Sequence, residues 1–321
     1  MKEIRILDTP ILPGKETIIY LNVAHLPTRT VIDIPLYVYR AEEPGPSILF
    51  SAGMHGDEIN GVEIVRRILD SDLNHVSRGM VLCVPIINVY GFIHFSRYVP
   101  DGKDVNRSFP GYENGSLASK VAYTVMQHIV PYIDYGIDFH TGGSQRNNYP
   151  QVRGDFSDPE IRKLSESTHA PFIIESSMIP GTFRMAAYEK GKKILVYEGG
   201  ESLRFDRYAI NEGVNCAHRF LHNFGMSQQI PEPCLSSVFI TDKTWYRCPD
   251  SGMWIHAVQN GSFVEENQLL GYITSPYGDF RSEIRAEKAG YVVAINNQAV
   301  VNKGDALLHM GFADDLIGCN K

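Results

Sequence analysis

The sequence predicts an α/β fold, a mixed sheet flanked by helices, followed by a small all-β barrel or sandwich domain. Three observations lead there. From Glu16 to about Phe224, apolar β-rich runs alternate with segments of helical period. Beyond that stretch no segment keeps a helical period, and a short β pattern occurs twice. Between the two, residues 225–237 become rich in Ser, Gln, Pro and Glu, including Pro231 and Pro233, as a linker or crossing segment does. At roughly 150 residues per domain, the 321-residue chain has room for two, expected at 1–230 and 231–321.

Taken in order, residues 17–23 and 31–39 alternate apolar with polar side chains across a turn containing Pro27, the pattern of an antiparallel edge hairpin within the first 40 or so positions. The runs 47–50, 80–87, 135–139, 172–175 and 194–197 are short and almost continuously apolar, which suits central strands buried on both faces. Helices are expected at 58–69, 116–130, 158–167 and 207–224. In the first of these, Ile59, Val62, Ile64, Val65 and Ile68 fall mainly on one stripe, the side that must pack on the sheet.

In the C-terminal part, Gly252-Met-Trp-Ile recurs as Gly290-Tyr-Val-Val, and residues 264–270 recur as 301–307, an offset of 37 to 38 residues. Two copies of such a unit would close into a small barrel or sandwich, a pattern that resembles the lipoyl or biotinyl-type barrel. Carriers of that type bear a modified lysine at the hairpin tip between the halves. The corresponding stretch here, Ser275-Pro-Tyr-Gly-Asp-Phe280, has none, which argues against a swinging-arm carrier.

Composition narrows the function. Thirty basic against 37 acidic side chains leave a net charge of −7, a field that repels polyanions, so nucleic acid is not an expected partner. No apolar run approaches the ~18 residues of a membrane span, and the first residues form no signal-peptide core. A soluble, cytoplasmic protein is expected. The five cysteines, Cys83, Cys216, Cys234, Cys248 and Cys319, are scattered without a C-x-x-C pair and read as reduced thiols.

The chemistry concentrates in a few short motifs. Ala52-Gly-Met-His-Gly-Asp-Glu58 follows a buried strand and opens a helix, where open α/β sheets place ligands. His55 and Glu58, three apart, can present an imidazole and a carboxylate to one metal, with Gly53 and Gly56 permitting the sharp turn. Asp138-Phe-His140 ends another strand and offers the third ligand, completing a zinc site with one open position. A water in that position becomes acidic near pH ~7, and Glu198, ending the run Ile194-Leu-Val-Tyr197, is the candidate general base. Between the ligands, residues 97–107 hold Arg97, Asn106 and Arg107. Asn106 and Arg107 are placed to grip a substrate carboxylate, and Arg97 to polarise the scissile carbonyl.

In this order, His55-x-x-Glu58, Asp104-Val-Asn-Arg107, Asp138-Phe-His140 and Tyr197-Glu198-Gly-Gly resemble the succinylglutamate desuccinylase and aspartoacylase family, relatives of zinc carboxypeptidases. The resemblance spans about residues 20–315 and implies one Zn2+ per chain on His55, Glu58 and His140. It implies Glu198 as general base and proton shuttle, Asn106 and Arg107 on the substrate carboxylate, and Arg97 on the carbonyl. Arg184, in Gly181-Thr-Phe-Arg184, resembles a further substrate-binding arginine of that family. The second domain of such proteins overhangs the site, admitting small acylated amino acids and obstructing polypeptides; Tyr277, in the turn joining the two halves, is a candidate to reach it.

The leading expectation is therefore hydrolysis of the amide in a small N-acyl amino acid. No G-x-S-x-G, H-E-x-x-H, G-x-x-x-x-G-K-[ST] or G-x-G-x-x-G occurs. Two alternatives stay open at this point: a metallocarboxypeptidase acting on short peptides, and a non-catalytic module binding a small carboxylate. The sequence leaves oligomeric state open, a homo-oligomer included.

Overall fold

A computed structural model describes residues 3–227 and 236–317. A minute antiparallel pair, β1 (Arg5–Ile6) and β2 (Thr9–Pro10), leads into β3 (Lys15–His25), β4 (Val31–Arg40) and β5 (Glu43–Ala52). Helix α1 (Ile59–Asp70), β6 (Arg78–Val84) and α2 (Val89–Ile93) follow, then the 3-10 turn η1 (Val105–Arg107), α3 (Leu117–His128) and η2 (Val130–Tyr132). After β7 (Tyr135–Gly142) come β8 (Arg146–Gly154), α4 (Pro159–Ser167), β9 (Phe172–Glu175), α5 (Phe183–Tyr188), β10 (Lys193–Glu201) and α6 (Arg207–Asn223). The rest is β structure: β11 (Ser237–Arg247), β12 (Gly252–His256), β13 (Phe263–Val264), β14 (Leu269–Thr274), β15 (Arg281–Arg285), β16 (Gly290–Asn296), β17 (Val300–Val301) and β18 (Ala306–Ile317).

The architecture is a mixed sheet with helices plus a C-terminal β region. The long sheet runs β13-β16-β18-β11-β9-β8-β10-β7-β5-β6-β4-β3, with β5, β6, β7 and β10 mutually parallel where they adjoin. Each central run finds its strand, although the run expected at 80–87 stops at Val84, where Pro85 has no N–H for the ladder. The hairpin forms as expected, but only β3 is an edge: β4 also pairs with β6. The four expected helices appear within a residue or two, the second ending at His128 before η2.

Two apolar cores lie around the parallel strands. One holds Leu36, Leu82, Val121 and Val125, the other Ile64, Val65, Ile68, Phe139, Tyr197 and Phe220. Each aliphatic side chain so buried contributes about 1.5–3 kcal/mol relative to exposure. Helix α1 lies close against β7 through Gly61, where a Cβ would meet the Phe139 carbonyl oxygen at 2.3 Å. That approach fixes the first turn of α1, and Glu58 before it, beside the end of β7.

The strand β8, Arg-Asn-Asn-Tyr-Pro-Gln-Val-Arg-Gly, has no counterpart among the expected elements because its polar residues give no apolar run. Its neighbours make it a strand: it pairs with β10, β9 and β16. The β8–β16 ladder joins β8, β9, β11, β18 and β16 into a closed circuit of strands around Phe172, Ile174, Val238, Ile240 and Val293.

The internal repeat is structural. β12 pairs with β14 and β16 with β18, while β17 and β13 cross over to the opposite copy. Gly252 faces Val301 and Gly290 faces Val264, equivalent positions in the two copies. A four-stranded sheet β15-β14-β12-β17 and the end of the long sheet share one core containing Trp254, Val264, Leu270, Val292 and Leu307. The expected linker at 225–237, and with it the junction near 230, lies mostly outside the described residues; Gly225, at φ 64°, follows Phe224, the C-cap of α6.

Candidate active site and metal centre

The carboxyl ends of β5, β7 and β10, neighbours at the middle of the sheet, open on one cavity of about 420 Å3. Gly53, at φ 60°, turns the chain out of β5, and Gly56 presses on the next loop so closely that a Cβ would sit 1.8 Å from the Gly91 carbonyl carbon. This tight loop delivers His55 and Glu58, both 3% exposed, to the cavity floor. His140 arrives from the end of β7, likewise buried.

The three side chains meet. His55 Nδ1 lies 2.7 Å from Glu58 Oε1, and His140 Nδ1 lies 2.8 Å from Glu58 Oε2. One ligand atom from each residue lies within 4.8 Å of the others. The far ring nitrogens also face carboxylates: His140 Nε2 is 2.8 Å from Asp138, and His55 Nε2 is 3.2 Å from Asp104. Ser51 donates to the other oxygen of Asp138 at 2.7 Å, and the backbone N–H of Thr141 donates to Glu58.

This arrangement tests directly for a metal. A neutral imidazole carries one proton, yet each ring here faces an acid at both nitrogens, so each needs either a second proton or a cation at Nδ1. Burial pushes His55 down, but Glu58 and Asp104 outweigh it and hold the imidazole above its ordinary range. For His140 burial is likewise overcome, by Asp138 and Glu58, which raise it well above that range. Glu58 responds in reverse: burial would raise it, and the two histidines hold it well below the usual carboxylate range. A divalent cation answers both rings and Glu58 at once. Two His and one Glu are a ligand set of catalytic zinc sites, and Nε2–H donated to a carboxylate is the usual way such rings are oriented.

Glu198 stands beside His140 on the adjoining strand, its register partner in the β10–β7 ladder. Asn148 of β8 donates to Glu198 Oε2 at 2.7 Å, and Arg153 NH1 lies 3.8 Å from Oε1. Both charged side chains line the cavity. Arg97 donates Nε and NH2 to a single oxygen of Asp104, Oδ2, at 3.0 and 2.8 Å, which leaves NH1 3.4 Å from Glu58 and 3.2 Å from His55 Nδ1. Asp104 organises this corner: it also accepts the Asn106 N–H, capping η1, and His55 and Arg97 overcome its burial to keep it well below the usual carboxylate range.

Asn106 Oδ1 accepts the Phe183 N–H and so ties η1 to α5. Its neighbour Arg107 is exposed on the cavity wall, NH1 donating to the Asn106 carbonyl. Arg184, on α5, lines the cavity as well; it is 7% exposed and donates NH2 to Ser177 O, while its NH1 has no hydrogen-bond partner among the described residues. Burial and the neighbouring Arg153 lower it to about 10. All of the candidate residues thus line one cavity. Tyr277 does not: it is 90% exposed at its turn and absent from the cavity lining. The C-terminal strands contribute Trp245 instead, and β8 contributes Arg146, Asn148 and Arg153, none of which the sequence singled out.

With the geometry in place, comparison with known proteins is informative. The family model of the succinylglutamate desuccinylase/aspartoacylase catalytic domain matches residues 44–223. The N-alpha-acetyl-L-2,4-diaminobutyric acid deacetylase of Halomonas elongata is 28% identical over 291 residues, which cover 85% of this chain and 84% of that protein. The product-bound ectoine utilization protein EutE (DoeB) of Ruegeria pomeroyi shares the fold with a TM-score of 0.84 at 22% identity, covering 95% of this chain and 97% of that one. A succinylglutamate desuccinylase/aspartoacylase from Rhodobacter sphaeroides gives 0.82 at 22% identity, covering 93% and 96%. Because the family match takes in more than half of the sequence and contains His55, Glu58 and His140, the chain belongs to the succinylglutamate desuccinylase/aspartoacylase family of hydrolases.

Proposed function

We propose that the protein hydrolyses the amide bond of a small N-acyl amino acid, with Zn2+ held by His55, Glu58 and His140. The observation that carries this reading is the pairing of a doubly braced His-Glu-His cluster with a separate carboxylate, Glu198, at the adjacent register position. When bound, the cation supplies Lewis acidity for the acyl carbonyl and brings a water's acidity near neutrality.

The chain's own residues supply the rest. Glu198, held by Asn148, collects the proton of the attacking water and returns it to the departing amine. Arg97 NH1, fixed by the Asp104 clamp, points at the ligand cluster and stabilises the oxyanion as it develops. Asn106, Arg107 and Arg184 bind the substrate carboxylate, and for Arg184 the unmatched NH1 supports an anionic partner nearby. The cavity, about 420 Å3, has the size of a small-molecule site. Trp245, contributed from β11, walls it on the C-terminal side, which supports a small acylated amino acid over a polypeptide. Among the described residues no helix is long and apolar enough to cross a membrane, and the buried free thiols Cys83, Cys216 and Cys248 support a cytoplasmic setting.

The decisive experiment compares wild type with Glu198→Gln on a panel of N-acetyl and N-succinyl amino acids and short peptides. Zinc content should be unchanged and hydrolysis of the acyl amino acids should fall by about 10²- to 10⁴-fold. Retained turnover in the variant, or faster turnover of peptides than of acyl amino acids, would reject the assignment.

A further inference from the structure

The strand that carries Glu198 ends in an irregularity. Beyond Glu198 both ladders of β10 slip, the one with β7 before Glu201 and the one with β8 before Gly200, and Gly200 stands at φ 80°. A bulge of this kind re-aims the side chain beside it, so the direction of the Glu198 carboxylate depends on how residues 199–201 are held. Gly200 also lies opposite Asn148, the donor to Glu198, and the bulge therefore sets both partners of that hydrogen bond. Asn60, fully buried in the first turn of α1, holds the bulge from one side. Its Nδ2 donates to the Glu201 carbonyl at 3.2 Å, its Oδ1 accepts the Asp206 N–H at 2.9 Å, and a Cβ on Gly200 would lie 2.6 Å from that Nδ2.

Glu201 holds it from the other side. Its carboxylate is 8% exposed, stands outside the cavity lining and makes no ion pair among the described residues. A carboxylate buried without a cation is costly unless hydrogen-bonded, and the donor here is an amide from the C-terminal part of the chain: Asn297 Nδ2, 2.7 Å from Glu201 Oε2. Asn297 begins the turn between β16 and β17, on a rigid footing. The β8–β16 ladder runs to Asn296 opposite Arg146; the Asn296 side chain accepts the Gln298 N–H and donates to the Ala306 carbonyl, and its own carbonyl accepts from Trp254 Nε1. The backbone N–H of Asn297 donates to the Gln145 carbonyl at 2.9 Å. That carbonyl belongs to the β7–β8 turn, where Ser144 and Gln145 take φ values of 56° and 61° that non-glycine residues rarely hold, and where Gly143 and Ser144 line the cavity. One residue of the C-terminal part thus ties the turn on one flank of the site to the bulge behind Glu198 on the other.

We propose that Glu201 and Asn297 are positioning residues for the hydrolysis: their hydrogen bond, made outside the cavity, fixes the bulge after Glu198 and makes the rate depend on the C-terminal β region. This rests on the deacylase reading above, with Glu198 as its base, and deepens it. Neither residue touches substrate or the reacting atoms. Asn297 acts through Glu201, and Glu201 acts through the backbone of residues 199–201 on Glu198.

The test uses the zinc-loaded full chain and the N-acetyl or N-succinyl amino acid that wild type turns over fastest. Asn297 is itself exposed, so Asn297→Ala opens no core. Its kcat should fall about 10- to 100-fold, the scale on which a small misplacement of a catalytic group acts, with KM within about threefold and zinc content unchanged. Glu201→Ala should lose as much. Glu201→Gln keeps an oxygen to accept from Asn297 and should recover most of that loss. The Asn297→Ala/Glu201→Ala double variant should be no slower than the slower single one. Adding Asn297→Ala to Glu198→Gln should lower the residual kcat by less than about twofold, because the group being positioned is already gone.

A kcat within about twofold of wild type in Asn297→Ala, a loss confined to KM, no recovery in Glu201→Gln, or an undiminished further loss on top of Glu198→Gln would overturn the role. If wild type hydrolyses no N-acyl amino acid, the deacylase reading fails by itself, and amide hydrogen exchange still decides whether the contact holds the bulge. Asn297→Ala should then speed exchange across residues 199–203 while leaving α6 as in wild type. Equal exchange in the two proteins, or a rise spread over the whole chain, refutes it.

Discussion

Replacing Asp138 by Asn keeps the volume and shape of a residue that is 2% exposed and removes only its charge. The carboxylate accepts from His140 Nε2 at 2.8 Å and from Ser51 Oγ at 2.7 Å. An amide can preserve both contacts, its oxygen toward the imidazole and its NH2 toward the Ser51 hydroxyl, whose lone pairs then accept. What disappears is charge assistance. A hydrogen bond to a charged group contributes about 1.5–3 kcal/mol and a neutral one about 0.5–1.5, so roughly 1–1.5 kcal/mol of imidazole basicity toward the metal is lost. That corresponds to about a 10-fold weaker Zn2+ affinity, at the lower end of the 10- to 100-fold cost typical of outer partners. Asp138→Ala, which strands the buried Nε2–H, should cost a further 1–3 kcal/mol or so. Competition against a chromophoric zinc chelator at fixed pH reads the affinity, with circular dichroism confirming the fold. The reasoning is refuted if Asp138→Asn binds zinc within twofold of wild type, or if Ser51→Ala weakens binding as much.

Other perturbations separate the remaining parts of the argument. Asn148→Ala frees the Glu198 carboxylate from its 2.7 Å donor and should lower kcat about 10-fold while leaving KM within a factor of two or three, as steady-state kinetics would show; an unchanged kcat would detach Asn148 from the base. Gly56→Ala places a Cβ 1.8 Å from the Gly91 carbonyl carbon, and should destabilise the protein by about 3 kcal/mol or more, visible as a lowered denaturation midpoint; wild-type stability would mean the loop yields freely. Metal removal should create a pH dependence of stability. In the metal-free chain His55 and His140 are raised above the unfolded value of about 6.5. Their contribution is full below that pH and is lost as pH rises through the folded values, so chelated protein should weaken from about pH 7 upward relative to loaded protein. Parallel profiles with and without chelator, from urea titrations across that range, would contradict the cluster's proton accounting.

The metal-centre candidates were legible because their signals are local. A His and a Glu on one strand-to-helix turn, and a His ending another apolar run, can be recognised without knowing how the strands are ordered. The central strands were legible for a similar reason, since burial on both faces leaves a continuous apolar run. Strand β8 was not. Arg146, Asn148 and Arg153 line a charged cavity, Tyr149 packs against the small cluster around Phe172 and Ile174, and Pro150 interrupts the run; only the ladders to β10, β9 and β16 reveal it. Arg146, Asn148 and Arg153 were hidden with it. Trp245 was hidden by distance in sequence, because its place on the cavity wall depends on β11 pairing with β9. Tyr277 shows the opposite error: a turn residue can look well placed in a repeat diagram while the turn itself faces solvent.

The ring of strands formed by β8, β9, β11, β18 and β16 limits how this protein can breathe. Swinging the C-terminal strands outward like a jaw would strip β16 from β8 and β11 from β9 in a single stroke, breaking two rows of backbone hydrogen bonds together. Traffic in and out of the cavity must therefore pass a rim whose strands stay seated, with any widening left to the loops between them. For the same reason a shortened protein ending near residue 227 would bare the free flanks of β8 and β9, inviting chains to stick to one another rather than yielding an independent catalytic half.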